Sequence, residues 1–222
     1  MPDGIETGHY RGDAGRAYYQ ARQMDRSHVG HEVQAGYFLQ HLEGVKSCLE
    51  FGCGNGWLLL TLQRNIPEVE GVEVNPKARE ESRRSGACVY ESLDQVPDDR
   101  RYDAVISNHV LEHIADVPST LAAMRRHLRD QGQVVIVVPI DDFRSKHQRS
   151  WSASDIDCHL HTWTPRSIAN NFFLSGYEIE HVRVITSAWN NRLFWLHKLG
   201  LHKFGFWLFA VGAASGAFYP LG

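Results

Sequence analysis

Gly52, Gly54 and Gly56 alternate with Cys53 and Asn55 between two apolar runs, Lys46 to Phe51 and Trp57 to Leu62. Glycine turns a chain tightly and lets another group come close to the backbone, because no Cβ stands in the way. The run before the turn reads as a buried strand and the run after it as a helix packed on a sheet. Such a strand, turn and helix is the repeating unit of parallel α/β sheets. The unit recurs along the chain. Val69 to Val74 reads as a second strand, and Asn75-Pro76 opens a helix as N-cap and first-turn proline that closes at Gly86. Cys88 to Tyr90 is a short third strand, Tyr102 to Ser107 a fourth, Ser119 to Leu128 a helix, and Gln133 to Pro139 a valine-rich fifth strand. Thr164-Pro165 starts another helix through Phe173, Gly176 closes it, and Tyr177 to Thr186 alternates like a sixth strand. The expected architecture is α/β, a mostly parallel sheet with helices on both faces.

Ahead of this core, Asp13 to Met24 and Ser27 to Leu42 read as two cap helices, each opened by a capping Asp or Ser. Val33, Tyr37, Phe38 and Leu42 are spaced for one apolar face. Past the fifth strand, Asp141 to His161 is polar and long enough for a lid or binding loop. The tail from Trp189 to Gly222 is dominated by Trp, Phe, Leu and Gly and has no charged side chain after Lys203. Gly205, Gly212, Gly216 and Pro220 interrupt it, so a membrane span is not expected. Its aromatics call for a partner. They either pack as the last helices against the sheet or another subunit, giving a homo-oligomer, or form an apolar surface for a lipid-like substrate or for membrane docking. In the latter case Lys198 and Lys203 would sit at headgroup level. One domain is expected over 1–222: cap helices in 1–44, the core in 45–188 and the apolar extension in 189–222.

A formal net charge of -3 gives no basic field for phosphate backbones, so nucleic acid is not expected as a partner. The 4 cysteines have no Cys-x-x-Cys spacing, which fits a reducing cytoplasm, with peripheral membrane contact through the tail as the variant. Glu73 ends the second strand, about twenty residues beyond the glycine turn, where a carboxylate can accept both ribose hydroxyls of an adenosine-containing ligand. In the dinucleotide fingerprint the third glycine falls three residues after the second, making room for a pyrophosphate at a helix N-terminus. Here Gly56 follows Gly54 after two, and position 57 is Trp57. The spacing therefore departs from a dinucleotide site.

The turn Glu50-Phe51-Gly52-Cys53-Gly54-Asn55-Gly56 instead resembles motif I of the class I S-adenosylmethionine (SAM)-dependent methyltransferases, whose core is a Rossmann-like sheet. Tyr102 to His113, ending Val110-Leu111-Glu112-His113, resembles that family's fourth strand and its continuation. Gln131-Gly132-Gln133 with Val134 to Pro139, and His159-Leu160-His161-Thr162-Trp163-Thr164-Pro165, are similar to later segments of its small-molecule branch, which includes ubiquinone-biosynthesis O-methyltransferases and the type 11, 12 and 23 enzymes. The resemblance covers roughly Lys46 to Thr186. It implies SAM as cofactor and S-adenosylhomocysteine as product, with the methionine end against Glu50, Gly52 and Gly54, the ribose on Glu73, and Cys53, Asn55 and Gly56 of the same turn among the cofactor-binding residues. It also implies the adenine edge against Ser92 and Leu93, and Asn108 and His109 facing the sulfonium.

The acceptor expected on this resemblance is a small molecule attacking through oxygen. His109, and after it His113, are the candidates for a general base or substrate orienter, since neutral imidazole is available near physiological pH. Positioning without a base is the alternative. Tyr18 or Tyr19 would close over the cofactor from the cap helices, or simply pack. Asp155, Asp157, Cys158, His159 and His161 are ligand-competent but lack paired spacing, so they read as lid residues and no metal is expected. A protein or nucleic-acid methyltransferase lacks support, because Ser107-Asn108-His109-Val110 stands where an amino-group methylator would carry its acidic-or-Asn, Pro-Pro, aromatic motif. A SAM-binding or membrane-associated scaffold without turnover stays open, since fold alone does not prove function.

Overall fold

In the computed structural model, which describes residues 10–21, 30–140, 152, 155, 157–186 and 216–221, the strand before the glycine turn is β1, Ser47–Phe51, buried at all five positions. The helix after it is α3, Trp57–Leu62, and it starts at Gly56 in the left-handed region (φ 79). The cap helices α1, Gly12–Ala21, and α2, Gly30–Leu39, come first. Asp13 lies inside the first turn of α1 rather than capping it, and pairs with Arg16. The start proposed at Ser27, the end proposed at Met24 and the side chain of Val33 lie outside the described residues.

The second unit is β2, Glu68–Val72, and α4, Pro76–Arg84. Asn75 caps α4 as expected, its side chain accepting from Lys77 N and Ala78 N at 3.1 and 3.2 Å. β3 is Cys88–Tyr90 and β4 is Tyr102–Asn108. α5 spans Val117–Arg126 and begins before Ser119, because Asp116 caps it through Ser119 N at 3.0 Å. β5 is Leu128–Ile140, longer at both ends than the valine run. α6, Pro165–Leu174, carries a capping box between Thr164 and Ser167, and Gly176 takes φ 82 beyond its end. β6 is His181–Thr186, so Tyr177 to Glu180 precede it without strand pairing.

The sheet order is β3-β2-β1-β4-β5-β7-β6, where β7 is Gly216–Leu221. The five strands from β3 to β5 are parallel, whereas β7 runs antiparallel to both β5 and β6. Where the sequence suggests packed helices for the tail, the described part of it is a strand inserted in the sheet. Residues 187–215 and 222 lie outside the described residues.

Two hydrophobic cores lie on opposite faces of the sheet. Leu49, Val105, Val134, Ile136 and Val138 face α5 and α6 through Leu121, Met124, Ile168 and Phe172. Cys48, Ala104, Ile106, Val135 and Val137 face α2 and α3 through Phe38, Leu58, Leu59 and Leu62. Alternate residues of β5 fall in alternate cores, which is the period of two that places side chains on both faces of a strand. Both faces are covered, as the near-continuous apolar runs required. Strand order reverses direction between β1 and β4, so the crevice of this fold opens at their carboxyl ends.

Candidate cofactor and active site

The glycine turn is held from four sides. Gly52 N and Cys53 N donate to Val72 O at 2.8 and 3.0 Å. Ser107 Oγ donates to Phe51 O at 2.9 Å, Ser82 Oγ of α4 donates to Gly54 O at 2.9 Å, and the Glu73 carboxylate accepts from Gly54 N at 2.7 Å. Ser82 and Ser107 carried no signal in the sequence, being single hydroxyls far from the turn in the chain.

The glycines divide by what surrounds them. A Cβ on Gly52 would collide with Val110, one on Gly56 would meet Ser82 Oγ at 2.7 Å, and one on Gly71 in β2 would meet Cys53 Sγ at 2.6 Å. Those three are required by packing. A Cβ on Gly54 would meet nothing within 4 Å, yet Gly54 adopts φ 53. Its α-carbon faces open space.

Glu73 is 8% exposed, and its second oxygen accepts from Asn75 N at 2.7 Å. Two backbone donors thus fix the plane of the carboxylate at the end of β2. Glu50 is 3% exposed and its Oε2 has no hydrogen-bond partner. Burial, and then the negative charge of Glu73, push its carboxyl up to about 8, with the Leu59 backbone N–H pulling the other way. Asn108 Oδ1, at the last position of β4, is a second buried acceptor without a partner. Two buried acceptor oxygens left unsatisfied beside a turn with room at Gly54 suit a cationic, hydrogen-bond-donating ligand. The ammonium and sulfonium of SAM fit that chemistry. Cys53 is buried against Gly71, so any ligand contact from it comes through its backbone. Asn55 is half-buried in the turn. Ser92 is half-buried and Leu93 is buried in the core, together opening a short helical turn after β3.

The other wall follows β4. His109 takes φ 55, its side chain is 43% exposed, and its Nδ1 lies 3.5 Å from Glu112 Oε1. His113 is largely buried in a helical turn over Leu111–His113, where its Nε2 lies 3.7 Å from the same oxygen. Burial holds the His113 imidazole below its ordinary pKa, with the negative charge of Glu112 pulling the other way. Tyr10 reaches this wall from ahead of α1, its hydroxyl 2.6 Å from His113 Nδ1 and donating to Asp157 O at 2.5 Å. Tyr18 stacks edge-on to Tyr10, while Tyr19 bonds Glu81 of α4. Leu160 N and His161 N both donate to Glu112 O, at 2.7 and 3.1 Å, which ties the end of the expected lid to the turn after β4. Asp155 and residues 157–161 are described, and most of 141–156 lies outside the described residues.

Comparison with known proteins gives a consistent result. The profile of the methyltransferase domain family matches residues 22–182. An uncharacterized methyltransferase of Mycobacterium bovis is 26% identical over 133 residues, covering 57% of this chain and 63% of its own. A counterpart from Mycobacterium tuberculosis gives the same figures, so the match spans less than two thirds of the length of these relatives. Among solved structures, a chain from the complex of the Haloferax volcanii Trm112 methyltransferase activator with a methyltransferase superposes with TM-score 0.64 at 17% identity, over 92% of this chain and 96% of that one. A SAM-dependent methyltransferase from Archaeoglobus fulgidus gives TM-score 0.61 at 15% identity, over 94% and 99%. These likenesses carry the fold. Together with the domain match over most of the chain, they establish that the chain belongs to the class I SAM-dependent methyltransferases.

Proposed function

We propose that this chain transfers a methyl group from SAM to an oxygen atom of a small-molecule acceptor. The observation that carries the reading is the pair of unpartnered buried oxygens, Glu50 Oε2 and Asn108 Oδ1, at the crevice end of β1 and β4 beside the open face of Gly54. Bound there, SAM supplies an electrophilic methyl group on a sulfonium, so the protein's part is orientation and exclusion of water. Glu50 would answer the methionine ammonium. The backbone of Gly52, Cys53, Gly54, Asn55 and Gly56 would lie along the cofactor, Glu73 would accept from the ribose, and Ser92 and Leu93 would meet the adenine edge through their backbone. Asn108 would face the reacting end.

A histidine of the segment that follows β4 acts as general base or substrate orienter, His109 first and His113 second. His109 suits the role because its side chain is 43% exposed and its backbone is held in the left-handed region, a conformation that clusters at functional sites. The net charge of -3 favours a small acceptor over a phosphate backbone. A lipid-like acceptor would use the aromatic tail. No helix among the described residues is long and apolar enough to cross a membrane, and flotation with anionic liposomes tests surface docking.

The test is incubation with isotopically labelled SAM and a cell extract, followed by mass spectrometry of labelled products. Label on oxygen of a small molecule is expected. Calorimetric SAM binding with no labelled product would overturn the reading in favour of a scaffold. Once an acceptor is known, His109→Ala should lose about a hundredfold in turnover with SAM affinity kept. A change of only a few-fold across the pH range would leave positioning as the sole mechanism.

A further inference from the structure

Glu112 is 1% exposed and its Oε2 has no hydrogen-bond partner. A buried carboxylate oxygen left in that state is costly and points to something that normally occupies it. His109 Nδ1 lies 3.5 Å from the other oxygen, Oε1, and two further imidazoles close a cluster with the carboxylate, for one ligand atom each of Glu112, His113 and His159 lies within 4.8 Å of the other two. The His113 and His159 rings meet edge to face at 4.8 Å.

The proton on His113 can be located from its far side. Tyr10 has one hydroxyl proton, and it is given to Asp157 O at 2.5 Å. The 2.6 Å contact between Tyr10 and His113 Nδ1 must then run the other way, with Nδ1–H donating to the phenol oxygen. In the neutral ring Nε2 therefore carries the lone pair, and it faces Glu112 Oε1 at 3.7 Å. A lone pair opposed to a carboxylate oxygen in a buried place is repulsive unless a cation lies between them.

We infer that Glu112, His113 and His159 bind a divalent transition-metal ion of the zinc class, leaving a further coordination position open. One carboxylate and two neutral imidazoles are a ligand set of catalytic zinc sites, whereas calcium and magnesium take oxygen ligands. Tetrahedral ligands about 2.1 Å from an ion stand about 3.4 Å from one another, so the three side chains need only draw in slightly. Tyr10 would act on His113 as second partners of ligating histidines do, fixing tautomer and ring orientation. His161 belongs to the loop but not to the cluster, its Nε2 lying 2.7 Å from Ile114 O. Metal binding needs no methyl transfer and stands apart from that reading. With the ion bound, His113 is a ligand and His109 remains the base. Lowering the pKa of an acceptor oxygen in the open position would be the contribution that does rest on methyl transfer.

The experiment titrates Zn²⁺ into the chelator-treated full chain against a chromophoric competitor, with Co²⁺ as a spectroscopic probe of coordination. One ion per chain is expected, with the visible absorption of low-coordinate cobalt. His159→Ala and Glu112→Gln should each weaken binding at least about tenfold, and Tyr10→Phe by a smaller factor. His161→Ala should leave it unchanged. SAM calorimetry on each variant reports folding independently and fails separately if the cofactor assignment is wrong. Absence of saturable binding, or equal affinity in His159→Ala and the parent, would overturn the inference.

Discussion

At the scale of single residues, the glycine turn separates packing from ligand binding. Gly52 is closed off by Val110, so Gly52→Ala should destabilise the fold, on the order of 2 kcal/mol or more from overpacking and the left-handed backbone. Gly54→Ala has room for its Cβ, so its stability cost should be limited to about 1–2 kcal/mol for φ 53, while SAM affinity falls sharply. Urea melts and calorimetry on the pair distinguish the two roles; a Gly54→Ala variant with parental affinity would remove the cofactor from that side of the turn. Glu50 adds a pH dependence. Its ordinary pKa of 4.5 rises to about 8 in the folded protein, so between those values the folded chain holds a proton that the unfolded chain has released. Stability should therefore decline as pH rises through that window and level off above it. A cationic ligand beside Glu50 favours the ionised form. SAM binding at pH 7 should release up to one proton, read from binding heats in buffers of different ionisation enthalpy, and Glu50→Gln should abolish that release.

At the scale of elements, the helix boundaries follow from local chemistry. Thr164 and Asn75 cap α6 and α4 at the positions their sequence neighbourhoods indicated, because a cap is decided by a side chain and the backbone two or three residues away. Thr164→Ala should cost about 1 kcal/mol in a urea melt, with little effect on SAM affinity. Local rules also account for the misplaced starts. Asp116 caps α5 and starts it two residues ahead of Ser119, and Asp13 lies within α1. The lid residues show the limit of this kind of reading. Residues 155–161 have no paired ligand spacing, and the proximity of His159 to Glu112 and His113 arises across the chain, where the backbone of Leu160 and His161 bonds to Glu112 O. Contacts made across the chain leave no spacing signature.

For the molecule as a whole, the parallel strands and the edge strand β6 were legible in the sequence, and the antiparallel strand β7 inserted between β5 and β6 was not. Buried strands of β1, β4 and β5 announce themselves as apolar runs with helices between them, and the alternation fixes a covered sheet. Gly216–Leu221 has no such signature, since glycine and proline are depleted in strands and its pairing partners lie far back in the chain. Deleting residues 216–222 should lower the urea midpoint and expose the β5 edge, detectable as increased aggregation on refolding. A smaller effect on SAM affinity is expected, because the glycine turn and Glu73 stand on the opposite half of the sheet. The place of β7 has a further consequence for synthesis. Among the described residues, β6 meets the rest of the sheet through β7 alone, a strand that leaves the ribosome after it, so a nascent chain halted before residue 216 carries β6 without that pairing. Arrival of that segment closes the sheet, and quality-control proteases would distinguish stalled chains from finished ones by the two bare edges it covers.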